Sequence, residues 1–350
     1  MLRQLARLTK PVPAAGPDAV AVAVYSGAGG GSFGARETGV EGVACVDDAA
    51  RAFVLVTGLW ARTRNATLRR WAEGLLDFVL WMHAGDGLWV NFIYDWQGTK
   101  NLDGPTSAPG PNFWQARALH AVTTAGLLFD HAAARSLVRQ GFAAAAASTA
   151  PANIRALHTL AALELLSSEP DPWLASRLGG WCDEIADCSI DGVLMNSPDE
   201  RGQPHLWGHV QEAALMEAAQ SQHRPELAAI ATRSADAVFT TAIESGFDLQ
   251  HVAPYDVQSA ITVMDTLFKR TGHAPYGAAA SRARAWFDLR NPSHSPVYMR
   301  DEGRVADGVD AGAVSRDSGA EANICAGLAL IDDPFVLALA ASWPEAPPGT

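Results

Sequence analysis

Apolar residues recur along most of the chain at the three- and four-residue spacing of amphipathic helices, in segments of roughly 12 to 20 residues. Very few stretches alternate apolar and polar residues as a half-buried strand does. The pattern therefore predicts an all-α protein. The predicted helices lie near residues 48–64, 66–84, 112–128, 131–148, 152–168, 171–187, 205–221, 224–242, 254–271, 275–289, 318–331 and 333–342.

The predicted connections are short within successive helix pairs and mostly long between pairs. Long loops precede residue 48 and span 85–111, 189–204, 243–253 and 290–317, whereas the link at 149–151 is short. If the pairs are antiparallel hairpins, every long loop emerges on the same side. Six hairpins closed in a ring predict an (α/α)6 barrel, a six-hairpin toroid. We predict one domain over 1–350, with 1–40 as an N-terminal extension or loop region. A superhelix of helical repeats would show a recurring signature, and none was found.

Composition and charge exclude several classes of partner and site. Hydrophobic residues make up 48% of the chain and charged residues 18%, which is typical of a folded globule. The formal charge of −12 argues against nucleic acid or an anionic membrane as a partner. The four cysteines contain no CxxC pair, so neither a disulfide framework nor a thiolate zinc site is predicted. The apolar run at 19–25 is too short for a membrane span or a signal sequence, and we predict a cytoplasmic protein.

The first candidate motif is a pair of adjacent carboxylates, Asp47 and Asp48, at a predicted helix start. Both would suit the helix N-terminus, Asp47 as the cap and Asp48 in the first turn. Alternatively, one caps the helix and the other projects into the barrel mouth. There a second carboxylate would raise its pKa and suit it to acid–base chemistry.

The second motif is an aromatic loop that leads into a helix. It contains Trp89, Tyr94, Asp95 and Trp96, and Arg117 follows in the helix. Aromatic side chains in a loop either form a small satellite core or offer stacking surfaces to sugar rings. In the second case, Asp95 and Arg117 would bind sugar hydroxyls.

Two further groups of polar and aromatic residues stand at predicted helix starts. One contains Trp207, His209 and Gln211, and the other contains His251, Tyr255 and Asp256. No HExxH or other ligand-spaced pair occurs, so no metal site is predicted. These residues are expected either to form hydrogen bonds to a substrate or to cap the helices.

The most polar segment lies near the C-terminus. Glu321 stands early in an apolar helix, after Gly319 and Ala320, which allow another element to come close. Because the first and last hairpins of a closed ring are neighbours, Glu321 is expected opposite the helix that bears Asp48. The same segment supplies further candidate substrate-binding residues, namely Trp286, Arg290, Asn291, Asp307 and Asp310.

In this order, the motifs resemble those of bacterial six-hairpin, glycosidase-like α/α-barrel proteins, which occur alone or attached to glycosyltransferase domains. The family pattern contains VDDxAR, NFxxYDxxW, RAL, WFxxRN, DGI and GAE. The matching segments here are Val46–Arg51, Asn91–Trp96, Arg117–Leu119, Trp286–Asn291, Asp307–Val309 and Gly319–Glu321. The resemblance spans most of the chain and implies an α/α barrel with a carbohydrate-shaped cleft.

The chain departs from that pattern at three places. A Glu-Asp-Ser stretch is replaced by 105–111, with no carboxylate between Asp103 and Asp130. Met299 stands where the family has Asp, and Ala322-Asn323 replaces Ser-Thr. If a displaced carboxylate is the catalytic acid in relatives, the activity here is altered or lost.

The leading hypothesis is a glycoside-hydrolase-type enzyme acting on a small-molecule or oligosaccharide substrate without a cofactor. Asp48 and Glu321 are the predicted carboxyl pair, with Asp95 and Asp256 as hydroxyl anchors or substitute acids. The predicted stacking surfaces are Trp96, Trp207 and Trp286. A carboxyl separation of ~5–5.5 Å gives retention of configuration and one of ~6.5–9.5 Å gives inversion, which we favour.

Two alternatives remain open at this stage. A sugar isomerase, epimerase or lyase on the same scaffold would use His209 or His251 to shuttle protons at carbon. A non-catalytic glycan-binding barrel would explain the missing carboxylates around 105–111. A terpene cyclase is disfavoured because the Asp47-Asp48 motif lacks a further carboxylate for a magnesium cluster.

Overall fold

The computed structural model describes residues 1–27 and 41–344, and helices dominate this part of the chain. The helices are α1 Leu2–Leu8, α2 Val46–Thr63, α3 Ala66–Trp81, α4 Phe113–Leu128, α5 Ala132–Ala147, α6 Ala152–Ser168, α7 Pro172–Asp187, α8 Gln211–Ser221, α9 Pro225–Glu244, α10 Pro254–Thr271, α11 Ala274–Arg284, α12 Ala320–Ala329 and α13 Pro334–Ala341. The all-α prediction is confirmed. The twelve predicted helices correspond to α2–α13, except that 205–210 is not helical and Ala285–Phe287 is a 3-10 turn.

Consecutive helices contact each other as hairpins in α2/α3, α6/α7, α8/α9 and α10/α11. Residues at the helix ends determine the conformation of two of these short links. Arg64 adopts a left-handed φ of 57° after α2, and the Asn65 side chain accepts from the Thr67 N–H at 2.8 Å to start α3. Gly272 ends α10 with a φ of 69°, a conformation that costs glycine least.

The long loops contain short antiparallel strands that the sequence analysis did not predict. The strands are β1 Thr9–Pro11, β2 Val20–Val22, β3 Ala44–Cys45, β4 His83–Gly85, β5 Leu88–Trp89, β6 Phe92–Ile93, β7 Ser189–Ile190, β8 Val193–Leu194, β9 His251–Val252, β10 Tyr298–Met299, β11 Arg304–Val305, β12 Val309–Asp310 and β13 Ala313–Val314. Their pairs include β1/β2, β3/β6, β4/β5, β7/β8, β9/β12 and β10/β11. None exceeds three residues, too short to produce a visible alternation.

Two of these hairpins repeat one local signature. Asp86-Gly87 joins β4 to β5 and Asp191-Gly192 joins β7 to β8, with all four residues at positive φ. Asp-Gly suits such a tight turn because both central residues must be left-handed. Each hairpin is followed by a buried asparagine, Asn91 or Asn196. The chain thus has a short recurring signature after all, in its loops rather than in its helices.

The chain divides into two compact units. Unit 1 comprises Met1–Ala144, Tyr298–Gly308 and Val314–Thr350, and unit 2 comprises Ala145–Val297 and Val309–Ala313. The single-domain prediction over 1–350 stays a prediction. Of the predicted N-terminal extension, 28–40 lies outside the described residues, while 1–27 contains α1, β1 and β2, and α1 contacts α12 and β11 within unit 1.

Each unit has an apolar core with large aromatic residues. In unit 1, Phe53, Trp71 and Phe78 are fully buried or nearly so, and in unit 2 Trp181 and Phe239 are. Within the described ranges, no single helix is long and apolar enough to cross a membrane. The pair α12 and α13, bent by 110°, meets that test only when the two helices are taken together.

Candidate active site

The start of α2 keeps the two adjacent carboxylates out of helix capping. Strand β3 pairs with β6, which brings Asn91 beside the first turn, and Asn91 Oδ1 accepts from the Asp47 N–H at 3.1 Å. Cys45 Sγ accepts from the Asp48 N–H at 3.4 Å. The capping interpretation of Asp47 is therefore corrected, because a thiol and an amide serve the terminal N–H groups instead.

Arg51 connects three carboxylates of unit 1. Its Nη2 lies 2.7 Å from Asp48 Oδ1 and 2.9 Å from Glu321 Oε1, and its Nε lies 3.4 Å from Asp47 Oδ1. Arg117 forms a second ion pair with Asp47. The structure thus brings together four sequence candidates, Asp47, Asp48, Arg117 and Glu321, around one guanidinium that the sequence analysis did not select.

The spacing of Asp48 and Glu321 bears on the predicted chemistry. Their oxygens contact the same Arg51 nitrogen at 2.7 and 2.9 Å, so they are less than about 6 Å apart. An inverting glycosidase needs ~6.5–9.5 Å to hold a water between its carboxyl groups. This geometry does not favour the expected inversion, since the two groups share a guanidinium instead of a water.

The two adjacent aspartates have opposite pKa shifts. Burial raises the pKa of Asp48 to about 7, with Arg51 opposing the shift and the negative charges of Glu321 and Asp47 adding to it. Burial would also raise the pKa of Asp47, but Arg117 and Arg51 outweigh it and hold this pKa below 3.8. Asp48 can therefore hold a proton near neutral pH, while Asp47 stays ionised.

A fourth carboxyl group, that of Asp307, interacts with this cluster through Glu321. Asp307 Oδ1 accepts from the Gly319 N–H at 2.6 Å, just before α12. Burial raises the pKa of Asp307 to about 6, against the opposing effect of that hydrogen bond and with help from Asp317 and Glu321. The predicted close approach at Gly319 is confirmed, because a side chain there would meet Val24 O at 2.8 Å.

Arg51 and the carboxylates that it contacts differ in their access to solvent. The side chain of Asp48 is only 3% exposed and that of Arg51 12%, whereas Glu321 is 34% exposed. Glu321 is therefore the carboxylate of this group that a ligand reaches most easily.

The aromatic loop of unit 1 is divided between core and surface. Trp89 is fully buried and its indole N–H donates to Val79 O at 3.0 Å, so its ring offers no face to a sugar. Asp95 Oδ1 accepts from the Thr99 N–H at 3.1 Å within a turn, and the Tyr94 N–H donates to Thr99 O. Trp96 is partly exposed, with Lys10 Nζ 5.1 Å from its ring centroid.

In unit 2, His209 is fully buried in a polar network. Its Nδ1 lies 2.8 Å from Asn196 Oδ1 and its Nε2 lies 2.9 Å from Glu212 Oε1. Gln211 Nε2 donates to Asn196 Oδ1 at 3.0 Å, and Ser234 donates to Glu212 at 2.6 Å. Because both ring nitrogens are engaged and the ring is fully enclosed, His209 is not placed to exchange a proton with a substrate.

The other unit 2 candidates near helix starts are more accessible. Trp207 and Tyr255 are partly exposed and meet edge to face, with centroids 6.2 Å apart. Asp256 Oδ2 accepts from the Ala253 N–H at 2.9 Å and so caps α10. The exposed His251 lies on β9 opposite the exposed Asp310 on β12.

The remaining candidates belong to the segment after α11. Trp286 is fully buried and packs edge to face on Phe287, so it is a core residue rather than a stacking surface. Asn291 is also buried and donates to Trp286 O and Ser295 O, both at 2.8 Å. Arg290 is exposed and donates to Glu244 O at 3.1 Å.

The sequence analysis missed Arg51, Asn91 and Glu212. Arg51 carried a usable signal, because it lies three and four residues after the two aspartates and so shares their helix face. Asn91 begins the NFxxYDxxW segment and Glu212 lies three residues after His209, but neither position shows by itself which groups the side chain binds. Within residues 1–27 and 41–344, no group of three or more His, Cys, Asp or Glu has a metal-binding arrangement.

We expect the stability of the protein to depend on the proton held by Asp48. Because its pKa rises from 3.8 to about 7 on folding, its contribution is complete below pH 3.8 and is lost as the pH rises through 7. The full contribution is up to about 4 kcal/mol. In urea unfolding between pH 4 and 8, an Asp48→Asn variant should therefore gain stability relative to the original protein as the pH rises. A pH-independent difference would contradict this.

Comparisons with known proteins identify the fold. No family model matches the chain, and no curated protein matches its sequence significantly. A sugar epimerase from a ruminal bacterium has a similar structure, with a TM-score of 0.70, 12% identity and coverage of 95% of this chain and 96% of that one. A D-mannose isomerase has a similar structure with a TM-score of 0.68 and 11% identity, and the match covers 96% of this chain and 95% of that one. An endoglucanase from Clostridium thermocellum matches with a TM-score of 0.58 and 10% identity, over 94% of this chain and 65% of that one. The chain has the (α/α)6 barrel fold, as predicted, and its similar structures are carbohydrate-active enzymes.

Proposed function

We propose that this protein is a carbohydrate-active enzyme that transfers a proton at a sugar carbon, as an epimerase or isomerase does. The observation that carries the proposal is the joining of Glu321 and Asp48 through Arg51, which sets a solvent-accessible base beside a buried cation. A base next to a fixed positive charge suits removal of a proton from the carbon beside a carbonyl group. The similarity in fold to a sugar epimerase and a D-mannose isomerase over nearly the whole chain supports this reaction class.

In the proposed reaction, Glu321 takes the proton from the carbon next to the sugar carbonyl. The electron pair of the broken C–H bond forms a C=C bond, and the carbonyl oxygen becomes negatively charged. Arg51 and Arg117 stabilise that charge. Asp307, whose pKa is raised to about 6, donates and recovers the proton on oxygen. If the intermediate turns its opposite face to Glu321 before the proton returns to the same carbon, an epimer forms. Delivery of the proton by Glu321 to the neighbouring carbon gives an isomer.

Asp48 acts through Arg51 in this proposal. Its side chain is too enclosed to touch a sugar, but it binds the same guanidinium nitrogen as Glu321. Carboxyl groups replace His209, which the sequence analysis assigned to isomerisation, since this ring has both nitrogens bound within the protein. The other histidine assigned to that role, His251, belongs to unit 2 and takes no part in the proposed reaction.

Glycoside hydrolysis is the second candidate. A carboxyl group that holds its proton near pH 7, within about 6 Å of a second carboxylate, approaches the arrangement of a retaining glycosidase, where the separation is ~5–5.5 Å. The similarity to an endoglucanase is consistent with it. We rank hydrolysis second because Arg51 Nη2 contacts both the Asp48 and the Glu321 carboxyl groups.

Incubation with free sugars and with cello-oligosaccharides in D2O distinguishes the two reactions. Proton transfer at carbon should introduce deuterium beside the carbonyl carbon and produce an epimer or isomer, both visible by NMR and mass spectrometry, without new reducing ends. New reducing ends without carbon-bound deuterium would establish hydrolysis instead. Binding of sugars with neither product would identify a non-catalytic barrel. Each of these two outcomes would overturn the proposal.

A further inference from the structure

Unit 2 contains a cavity of about 400 Å³ whose lining residues come from α9, α10, α11 and the link before α11. We call it the α9–α11 pocket. Ile243, Met264 and Pro275 give it an apolar part. Its volume lies within the ~300–1,000 Å³ of small-molecule sites. None of its lining residues was a candidate in the sequence analysis, and the proposed reaction uses none of them.

One side chain of the α9–α11 pocket has an unmet hydrogen-bonding group. The Nε of Arg282 is buried and has no hydrogen-bond partner among the described residues. A buried N–H donor without an acceptor is costly, and native structures contain few of them. Arg282 lines the cavity, so a rotation of this side chain toward a ligand oxygen in the pocket would give the enclosed N–H its missing acceptor.

The charges around the pocket select the kind of ligand. Asp236 and Glu244 line it together with Arg282, so carboxylates and a guanidinium face the same space. A phosphate or carboxylate ligand would be repelled by the two acidic groups, whereas a protonated amine would be attracted by them but has no acceptor for the N–H groups of Arg282. A neutral ligand with many hydroxyl groups can donate to the carboxylates and accept from the guanidinium at once.

The remaining polar groups fit the same ligand. The Tyr276 hydroxyl donates to Asp236 Oδ1 at 3.2 Å, and burial together with Asp236 raises the pKa of Tyr276 to about 12, so this donor keeps its proton. Thr240 adds a hydroxyl group to the lining. Sugars have hydroxyl groups around their rims and apolar C–H faces. The apolar part of the pocket at Ile243 and Met264 offers a surface for such a face.

We propose that the α9–α11 pocket is a binding site for a neutral sugar of one or two rings, held by Arg282, Glu244 and Thr240. The site is separate in composition from the residues of the proposed reaction. Its occupation therefore does not depend on whether Glu321 catalyses proton transfer.

Met264 provides a direct reporter, because it lines the pocket and is one of only six methionines. The full chain labelled with methyl-¹³C methionine would be titrated with glucose, mannose and cellobiose and followed by NMR. The loss of one signal in Met264→Leu assigns the Met264 resonance. We expect a saturable shift of this resonance with at least one of the sugars.

Two variants test the residues that hold the sugar. Arg282→Gln and Thr240→Val should each weaken the binding seen at Met264, the first by about tenfold or more, because it removes charge-assisted hydrogen bonds. Arg284→Gln is the matched control, since this arginine of the same helix is already paired with Asp265. A Glu321→Gln variant should bind normally at Met264, which separates this site from the reaction.

The proposal fails if none of the three sugars shifts the Met264 signal. It also fails if sodium phosphate, acetate or putrescine shifts that signal in place of the sugars, because the site would then recognise charge. Unchanged sugar affinity in Arg282→Gln would overturn the role of the guanidinium. Thermal unfolding of each variant shows whether it is folded, and Thr240→Val keeps the test valid if Arg282→Gln is not.

Discussion

Replacing Glu321 by glutamine is expected to lower turnover of the sugar substrate by about 10²–10⁴-fold, the usual worth of a positioned acid or base. The amide keeps the shape of the side chain, and its carbonyl oxygen can still accept from Arg51 Nη2. It cannot accept a proton from carbon at neutral pH. KM should change much less than kcat, because the substrate still binds. The measurement is the rate of deuterium incorporation in D2O, with product formation followed in parallel.

Glu73→Gln is the control for the Glu321 variant. Glu73 is a half-exposed carboxylate of unit 1 paired with Arg69 on α3, so the same substitution there should leave the rate unchanged. If Glu321→Gln exchanges deuterium as fast as the original protein, Glu321 is not the base. A loss that appears only at high pH would assign the essential ionisation to another group.

Replacing Arg51 by methionine is expected to destabilise the protein by about 3–5 kcal/mol, as removal of one partner from a buried ion pair usually does. Asp47, Asp48 and Glu321 would lose a guanidinium that each of them contacts, and Arg117 would remain to balance Asp47. Urea or thermal unfolding at pH 7.5 measures the loss.

The pH dependence and a conservative variant show whether charge causes that loss. Without Arg51 the carboxyl groups should bind protons more readily in the folded state, so the destabilisation should be smaller at pH 5 than at pH 7.5. Arg51→Lys keeps a positive charge but lacks the planar guanidinium whose N–H groups reach several carboxylates. It should therefore be more stable than Arg51→Met but less stable than the original protein. Equal losses at both pH values, with no recovery in Arg51→Lys, would point to packing instead.

The placement of the aromatic residues could not be predicted from sequence. Trp89, Trp96, Trp207 and Trp286 all stood in polar motifs, and each had the composition of either a core residue or a sugar platform. Trp89 and Trp286 are buried, whereas Trp96 and Trp207 are partly exposed. The difference depends on which distant segments cover each ring, and no local pattern records that.

The histidines show the same limit. His209 and His251 each stood near a predicted helix start, and both were candidates for proton transfer. His209 is enclosed with Glu212 and Asn196, while His251 is exposed on a short strand. A sequence position near a helix start suits a capping, a structural or a catalytic histidine equally well.

The sequence by itself determined the helices and their pairing, because apolar periodicity, capping residues and loop lengths act over a few neighbouring positions. Those local rules also placed Asp47 and Asp48 at a helix start, and the expected closure of the hairpins placed Glu321 near them. Only the tertiary structure decided that Arg51 contacts both Asp48 and Glu321, the second of which lies 270 positions after Arg51. Burial and charge pairing set the pKa values there, and both arise only when distant segments pack together.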